Sequence, residues 1–126
     1  MIVGTGVEFV DVARFQRLME RHGERISPRI FTTGERAYAA RRAPRGTVQS
    51  LAVRFAAKVA ARRALGAQDV PLSDVEVVRA PGAAPSLRFH ARAASRARAC
   101  GVTRTALTLT HDPFCCIGHV VLEGEP

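Results

Sequence analysis

Arg54-Phe55-Ala56-Ala57-Lys58-Val59-Ala60-Ala61-Arg62-Arg63-Ala64-Leu65-Gly66 reads as the body and the stop of one long helix. Alanine is dense, which favours helix and lets neighbouring backbones come close. The helical pattern reaches back to about Gln49, and Gly66 is a suitable C-terminal residue. Leu51, Phe55, Val59 and Arg62 share one general direction. Arg54, Lys58 and Arg62 recur at four-residue steps close to one side. Lys58 is the only lysine in a chain whose other basic residues are all arginine, a mild hint that an ammonium is wanted there.

Upstream, Ile2–Val7 predicts a short strand, and its two glycines suggest close backbone approach or an irregular strand. As a phosphate loop, Gly4-x-Gly6 is weak, since no third glycine or nucleotide-fold context follows. A helix is expected from Asp11, a plausible N-cap, to Arg21, with Gly23 as its stop. Val12, Phe15, Leu18 and Met19 form its apolar face, while Arg14, Arg17 and Arg21 form a basic stripe. Such a stripe is either a solvated face or a docking surface for an acidic helix. Thr32-Thr33-Gly34-Glu35 has the spacing of a capping box and opens a helix to about Arg42. Beyond Gly66, strands are expected at 75–78, 87–89, 105–110 and 116–122, with a turn of helix at 91–100 and a frayed tail at 123–126. The order of elements is that of an α+β domain, a small mixed or antiparallel sheet on a long central helix.

The length of 126 residues predicts one domain, 1–126, with a small core that partnering would help. At 47% hydrophobic residues the chain is globular, and no apolar run reaches the length of a membrane span. No signal peptide is expected, so the cytoplasm is the expected compartment. Cys100, Cys115 and Cys116 form no Cys-x-x-Cys pair and read as small buried thiols, without a disulfide framework or a zinc site. The net charge of +8 calls for an acidic partner. Nucleic acid is not expected: the arginine-rich stretch 88–98 lacks interleaved aromatics, and only 6% of the chain is aromatic.

Several segments, in order, resemble the holo-acyl-carrier-protein synthases, a phosphopantetheinyl transferase family. The opening resembles that family's Met-Ile-x-Gly-x-Gly-x-Asp strand, here ending in Glu8. Ile30-Phe31-Thr32-Thr33-Gly34-Glu35 is similar to the start of its second helix. Arg54-Phe55-Ala56-Ala57-Lys58 and Arg63-Ala64-Leu65-Gly66 resemble its signature helix. Gly82-Ala83-Ala84-Pro85-Ser86-Leu87 is similar to its Gly-x-Pro turn, and Thr108-Leu109-Thr110-His111-Asp112 to its Ser-x-Ser-His segment.

The resemblance implies transfer of phosphopantetheine from coenzyme A to a serine of apo acyl carrier protein. It implies a homotrimer with sites at the subunit boundaries, and a magnesium ion bridging the pyrophosphate to two carboxylates. Chemistry of that kind needs charge neutralised and a proton removed. Glu8 stands at the first metal ligand, normally aspartate; the added methylene moves the oxygens by about an ångström. Lys58 stands at the lysine beside the pyrophosphate, and Arg63 replaces a lysine that also reaches phosphate. Arg54 stands at the signature basic residue, His111 at a histidine near the ribose phosphate, and Arg14 at an arginine that binds the acidic carrier. Glu8, Lys58 and His111 are thus the candidate catalytic residues. Arg54, Lys58, Arg63 and His111 are candidates for binding coenzyme A, and Arg14, Arg17 and Arg21 for docking the carrier.

Val59 departs from the pattern, standing where the family has its second metal-binding glutamate. Magnesium binding is expected to be weakened and a candidate base lost. Asp11 is near enough in sequence to help, or else serves only as a cap. Three functions stay open: a transferase with an altered metal site, a repurposed member doing acid–base chemistry through Glu8 or His111 on a tethered acyl chain, or a non-catalytic module that binds carrier proteins.

Overall fold

Glycines decide how the sheet meets the central helix. In the computed structural model, which describes residues 1–125, strand β1 (Ile2–Asp11) lies directly on helix α3 (Thr47–Leu65). A Cβ at Gly4 would sit 2.1 Å from the Ala64 carbonyl oxygen, and one at Gly6 1.9 Å from that of Ala60. Gly118, on strand β5 (Cys115–Gly124), meets the Ala56–Ala57 backbone in the same way. The alanines of α3 and the sheet glycines are therefore two halves of one close contact, as the sequence suggested for Gly4 and Gly6.

Helix α1 (Val12–Ile30) and helix α2 (Thr33–Ala40) follow β1 and precede α3. After α3 and a 3₁₀ turn at Leu72–Asp74 come the strands β2 (Val75–Val78) and β3 (Ser86–Phe89), helix α4 (Ala91–Ala99), strand β4 (Val102–His111) and β5. The larger sheet is antiparallel in the order β1-β5-β4, and β2 pairs with β3 in a separate antiparallel ribbon. One apolar cluster joins Ala60, Leu65, Val70, Val75, Val120 and Leu122; the other joins Phe15, Phe31, Leu51, Val53 and Cys116. Both are built around α3, so the expected α+β architecture with a long central helix holds. The sheets are antiparallel.

Several expected boundaries move. Gly23 does not stop α1, which runs through Gly23 and Pro28 to Ile30. Gly and Pro penalties of about 1 and 3 kcal/mol are weak against tertiary anchoring. The anchor here is Phe31, 1% exposed, whose N–H closes the helix on Ser27 O at 2.8 Å. The capping box is present: Thr32 Oγ1 accepts from Glu35 N, and Glu35 Oε1 accepts from Thr32 N. Asp11 caps α1 by accepting from Arg14 N at 2.9 Å. Strands β1, β4 and β5 are each ten residues, longer than their alternating cores suggested. Their pairing carries them on: Glu123 and Gly124, expected to fray, are laddered to Ile2, Arg104 and Val102. Of that tail, Pro126 lies outside the described residues.

Candidate functional site

Glu8 points to the helix side of β1, since its strand neighbours Gly6 and Gly118 face α3. There Arg63 Nη1 donates to Glu8 Oε1 at 2.8 Å and to Val7 O at 2.7 Å. The Arg63 side chain is 49% exposed and that of Glu8 22%, so the pair sits at an open edge. Glu8 also lines a cleft with Asp11, Arg14, Leu18 and Phe55. Phe55, Val59 and Arg63 succeed one another at four-residue steps, so Val59 lies on the stripe between two residues that address Glu8. Val59 is buried, 8% exposed, and presents only carbon there.

Arg54 and His111 come together in a different cleft of about 240 Å³, lined also by Tyr38, Arg42, Gln49 and Arg79. Arg54 is 5% exposed and donates from Nη1 to Ser50 O and Oγ at 3.2 and 2.9 Å. Its guanidinium lies 4.1 Å from the Tyr38 ring centroid. Burial pulls its pKa below the ordinary value, opposed by Tyr38. The Nε of Arg54 is buried with no partner, a donor in need of an acceptor. Gln49 Nε2 donates to His111 Nδ1 at 3.2 Å and to Asp112 O at 2.9 Å. Asp112 is not paired with His111; its Oδ1 accepts from the Phe114 and Cys115 amides and holds the turn. Those two bonds hold the Asp112 carboxyl below the usual range.

Lys58 joins neither group. Its side chain is 0% exposed and its Nζ is bound to Glu35 Oε1 at 2.5 Å and to Val75 O. Desolvation pulls the ammonium's pKa below its ordinary value, and Glu35 opposes this. As placed here it faces no phosphate, because its ammonium is fully buried and turned into the α2–α3–β2 junction. Arg14, Arg17, Leu18 and Arg21 line one surface cleft on α1, with Leu18 37% exposed. Sequence reasoning missed Tyr38 on α2, Gln49 on α3, and Arg42 and Arg79 on the connecting segments, which no motif or spacing marked. Cys116 is buried, its thiol pushed up to about 11 chiefly by burial, while Cys100 and Cys115 are half-buried.

The residues at Glu8 do not fit the magnesium ion that the resemblance implies. Such an ion wants a near-octahedral shell of oxygens. Glu8 Oε1 and Val7 O, two oxygens of the edge, are both taken by one guanidinium. Position 59 offers none. Among the described residues no group of three or more His, Cys, Asp or Glu could hold a metal.

Comparison with known proteins places the fold and the family. The model of the ACPS family, described as the 4'-phosphopantetheinyl transferase superfamily, matches residues 4–110. A holo-[acyl-carrier-protein] synthase of Solibacter usitatus is 41% identical, the match covering 98% of this chain and 100% of that one. One from a Methylobacterium is 45% identical over 98% of this chain and 96% of its own. Among solved structures, the Neisseria meningitidis synthase superposes with a TM-score of 0.85 at 27% identity, covering 98% of this chain and 99% of that one. The Bacillus anthracis synthase in complex with CoA (3',5'-ADP) superposes with a TM-score of 0.80 at 26% identity, covering 99% of both. With the signature helix, its glycine-lined seat and end-to-end relatives in agreement, this chain belongs to the holo-[acyl-carrier-protein] synthases of the 4'-phosphopantetheinyl transferase superfamily.

Proposed function

We propose that this protein transfers the phosphopantetheine arm of coenzyme A to a serine hydroxyl of an apo acyl carrier protein. The observation that carries the reading is the arginine cleft at Arg54 on a scaffold shared with a coenzyme A-bound synthase. A buried, unpartnered Arg54 Nε beside Arg42, Arg79 and His111 suits a phosphate. In the reaction the serine oxygen bonds to the phosphorus that carries pantetheine. The bond from that phosphorus to the bridging pyrophosphate oxygen breaks, and 3',5'-ADP leaves. The serine proton departs with the attack; Glu8 is the base we assign and His111 the ribose-phosphate contact.

The Arg54 cleft is smaller than the roughly 300–1,000 Å³ typical of sites for drug-sized ligands. Arg63 lies nine residues further along α3, about 13 Å at 1.5 Å per residue. Coenzyme A spanning both groups across a subunit boundary reconciles these facts, so we propose a homotrimer. The sheet face away from α3 supports it: Val7, Phe9 and Ile117 are exposed there, at 52%, 59% and 37%. Exposed apolar surface of this kind marks association. No helix among the described residues is long and apolar enough to cross a membrane. We place the reaction in the cytoplasm, which suits three free thiols.

Incubating purified protein with coenzyme A and an apo carrier, then weighing the carrier, tests the reading. The expected gain is one phosphopantetheine. No gain, with or without added magnesium, would exclude transferase activity and leave the repurposed or binding-only roles.

A further inference from the structure

The Glu8–Arg63 pair stands where the resemblance puts a divalent cation, and it differs from that arrangement in a consistent way. One carboxylate is gone, replaced by buried Val59. The other, Glu8, is held at 2.8 Å by a guanidinium that also covers the Val7 carbonyl. A cation entering here would have to displace Arg63, and the only other carboxylate lining the Glu8 cleft is Asp11, which is engaged in capping α1 at Arg14 N. The substitutions act together: the residue that claims Glu8 lies one helical turn beyond the position that lost its oxygen ligands.

We infer that Arg63 itself neutralises the pyrophosphate of coenzyme A in this protein, so that coenzyme A binds without a divalent metal. The inference rests on the transfer reading above. A guanidinium has five N–H donors in a planar fork. Both protein bonds of Arg63 come from Nη1, and the side chain is half exposed. Its remaining donors can meet two phosphate oxygens side by side, which an ammonium does less well. Glu8 then has a positioning role as well: it aims the guanidinium across the edge of β1. The arrangement is a built-in cation on a fixed stem in place of one drawn from solution.

Calorimetric titration of coenzyme A into wild-type protein, Arg63→Ala and Arg63→Lys, each in EDTA and in excess magnesium, tests this. Wild-type Kd should differ by less than about threefold between the two buffers. Arg63→Ala should weaken binding roughly 10- to 100-fold in both, the scale of a lost charge-assisted contact. Arg63→Lys, which keeps the charge with fewer donors, should fall between and covers the case of an unfolded alanine variant. A wild-type Kd at least about tenfold weaker in EDTA, or Arg63→Ala binding as tightly as wild type, would overturn the inference while leaving the transfer reading intact. No coenzyme A binding by wild type in either buffer would overturn both.

Discussion

Lys58 and Glu35 form an ion pair at 2.5 Å with neither side chain exposed to solvent. Glu35 Oε1 also accepts from Thr32 N at 2.9 Å, and its Oε2 from Val77 N at 2.8 Å. With Lys58 donating to Val75 O, the pair ties α2 and β2 to the middle of α3. Removing one partner leaves a buried charge alone, which costs about 3–5 kcal/mol. Lys58→Met and Glu35→Gln should each destabilise the protein by that amount in urea unfolding. The double variant should cost clearly less than the sum of the two. Folded Lys58→Met, assayed well below its melting temperature, should bind coenzyme A like wild type. A folded variant that has lost coenzyme A binding would restore Lys58 to the phosphate site.

Lys58 also shows where the sequence stops being legible. The long helix, its Gly66 stop, the capping box and the glycine approach were readable because each is a local pattern. Burial of Lys58 depends on a partner 23 residues away. That partner, Glu35, already had a complete local explanation in the capping box. The family resemblance matched Lys58 by position and could not say which way its ammonium turns. Arg54 and His111 were found through the same resemblance, but Tyr38, Arg42 and Arg79 come to them from loops and helix ends with no spacing rule. The end of α1 was misjudged for the opposite reason. Gly23 carried a strong local signal that the packing of Phe31, eight residues on, overrides.

Two glycines should respond in opposite directions to alanine. At Gly6 the new Cβ would lie 1.9 Å from the Ala60 carbonyl oxygen, against two backbones that cannot both yield. Gly6→Ala should lower stability by more than about 3 kcal/mol or prevent folding. At Gly23, mid-helix, the nearest atom to a new Cβ is the flexible Met19 end at 3.5 Å. Gly23→Ala should stabilise the protein by about 0.5–1 kcal/mol through helix propensity. Thermal unfolding of both variants measures the two signs.

The cleft at Arg54 should recognise one phosphate of coenzyme A and not the pantetheine end. Arg79 lines it from an exposed position outside the core, which makes Arg79→Ala a milder probe than replacing buried Arg54. Coenzyme A affinity should fall about tenfold, the scale of a single charged hydrogen bond. Dephospho-coenzyme A, which lacks the ribose phosphate, should bind wild type and Arg79→Ala almost equally. Titrations with the two ligands separate a phosphate contact from a general loss of fold.

Carrier docking should be governed by α1, where Arg14, Arg17 and Arg21 surround exposed Leu18 along one face. The stripe is a helical repeat of three and four residues, so it can follow the axis of an acidic partner helix. Arg17 and Arg21 are exposed and, unlike Arg14, do not line the Glu8 cleft. Charge reversal at Arg17 and Arg21 should therefore act on encounter and affinity, with chemistry untouched. Arg17→Glu with Arg21→Glu should raise KM for the apo carrier about tenfold or more, with kcat and coenzyme A affinity within about twofold of wild type. The wild-type KM should rise with ionic strength as salt screens the stripe, and the double variant should lose most of that dependence. Steady-state kinetics across a salt series measure both. A fall in kcat with KM unchanged would place these arginines in the reaction itself and leave the carrier's docking surface elsewhere.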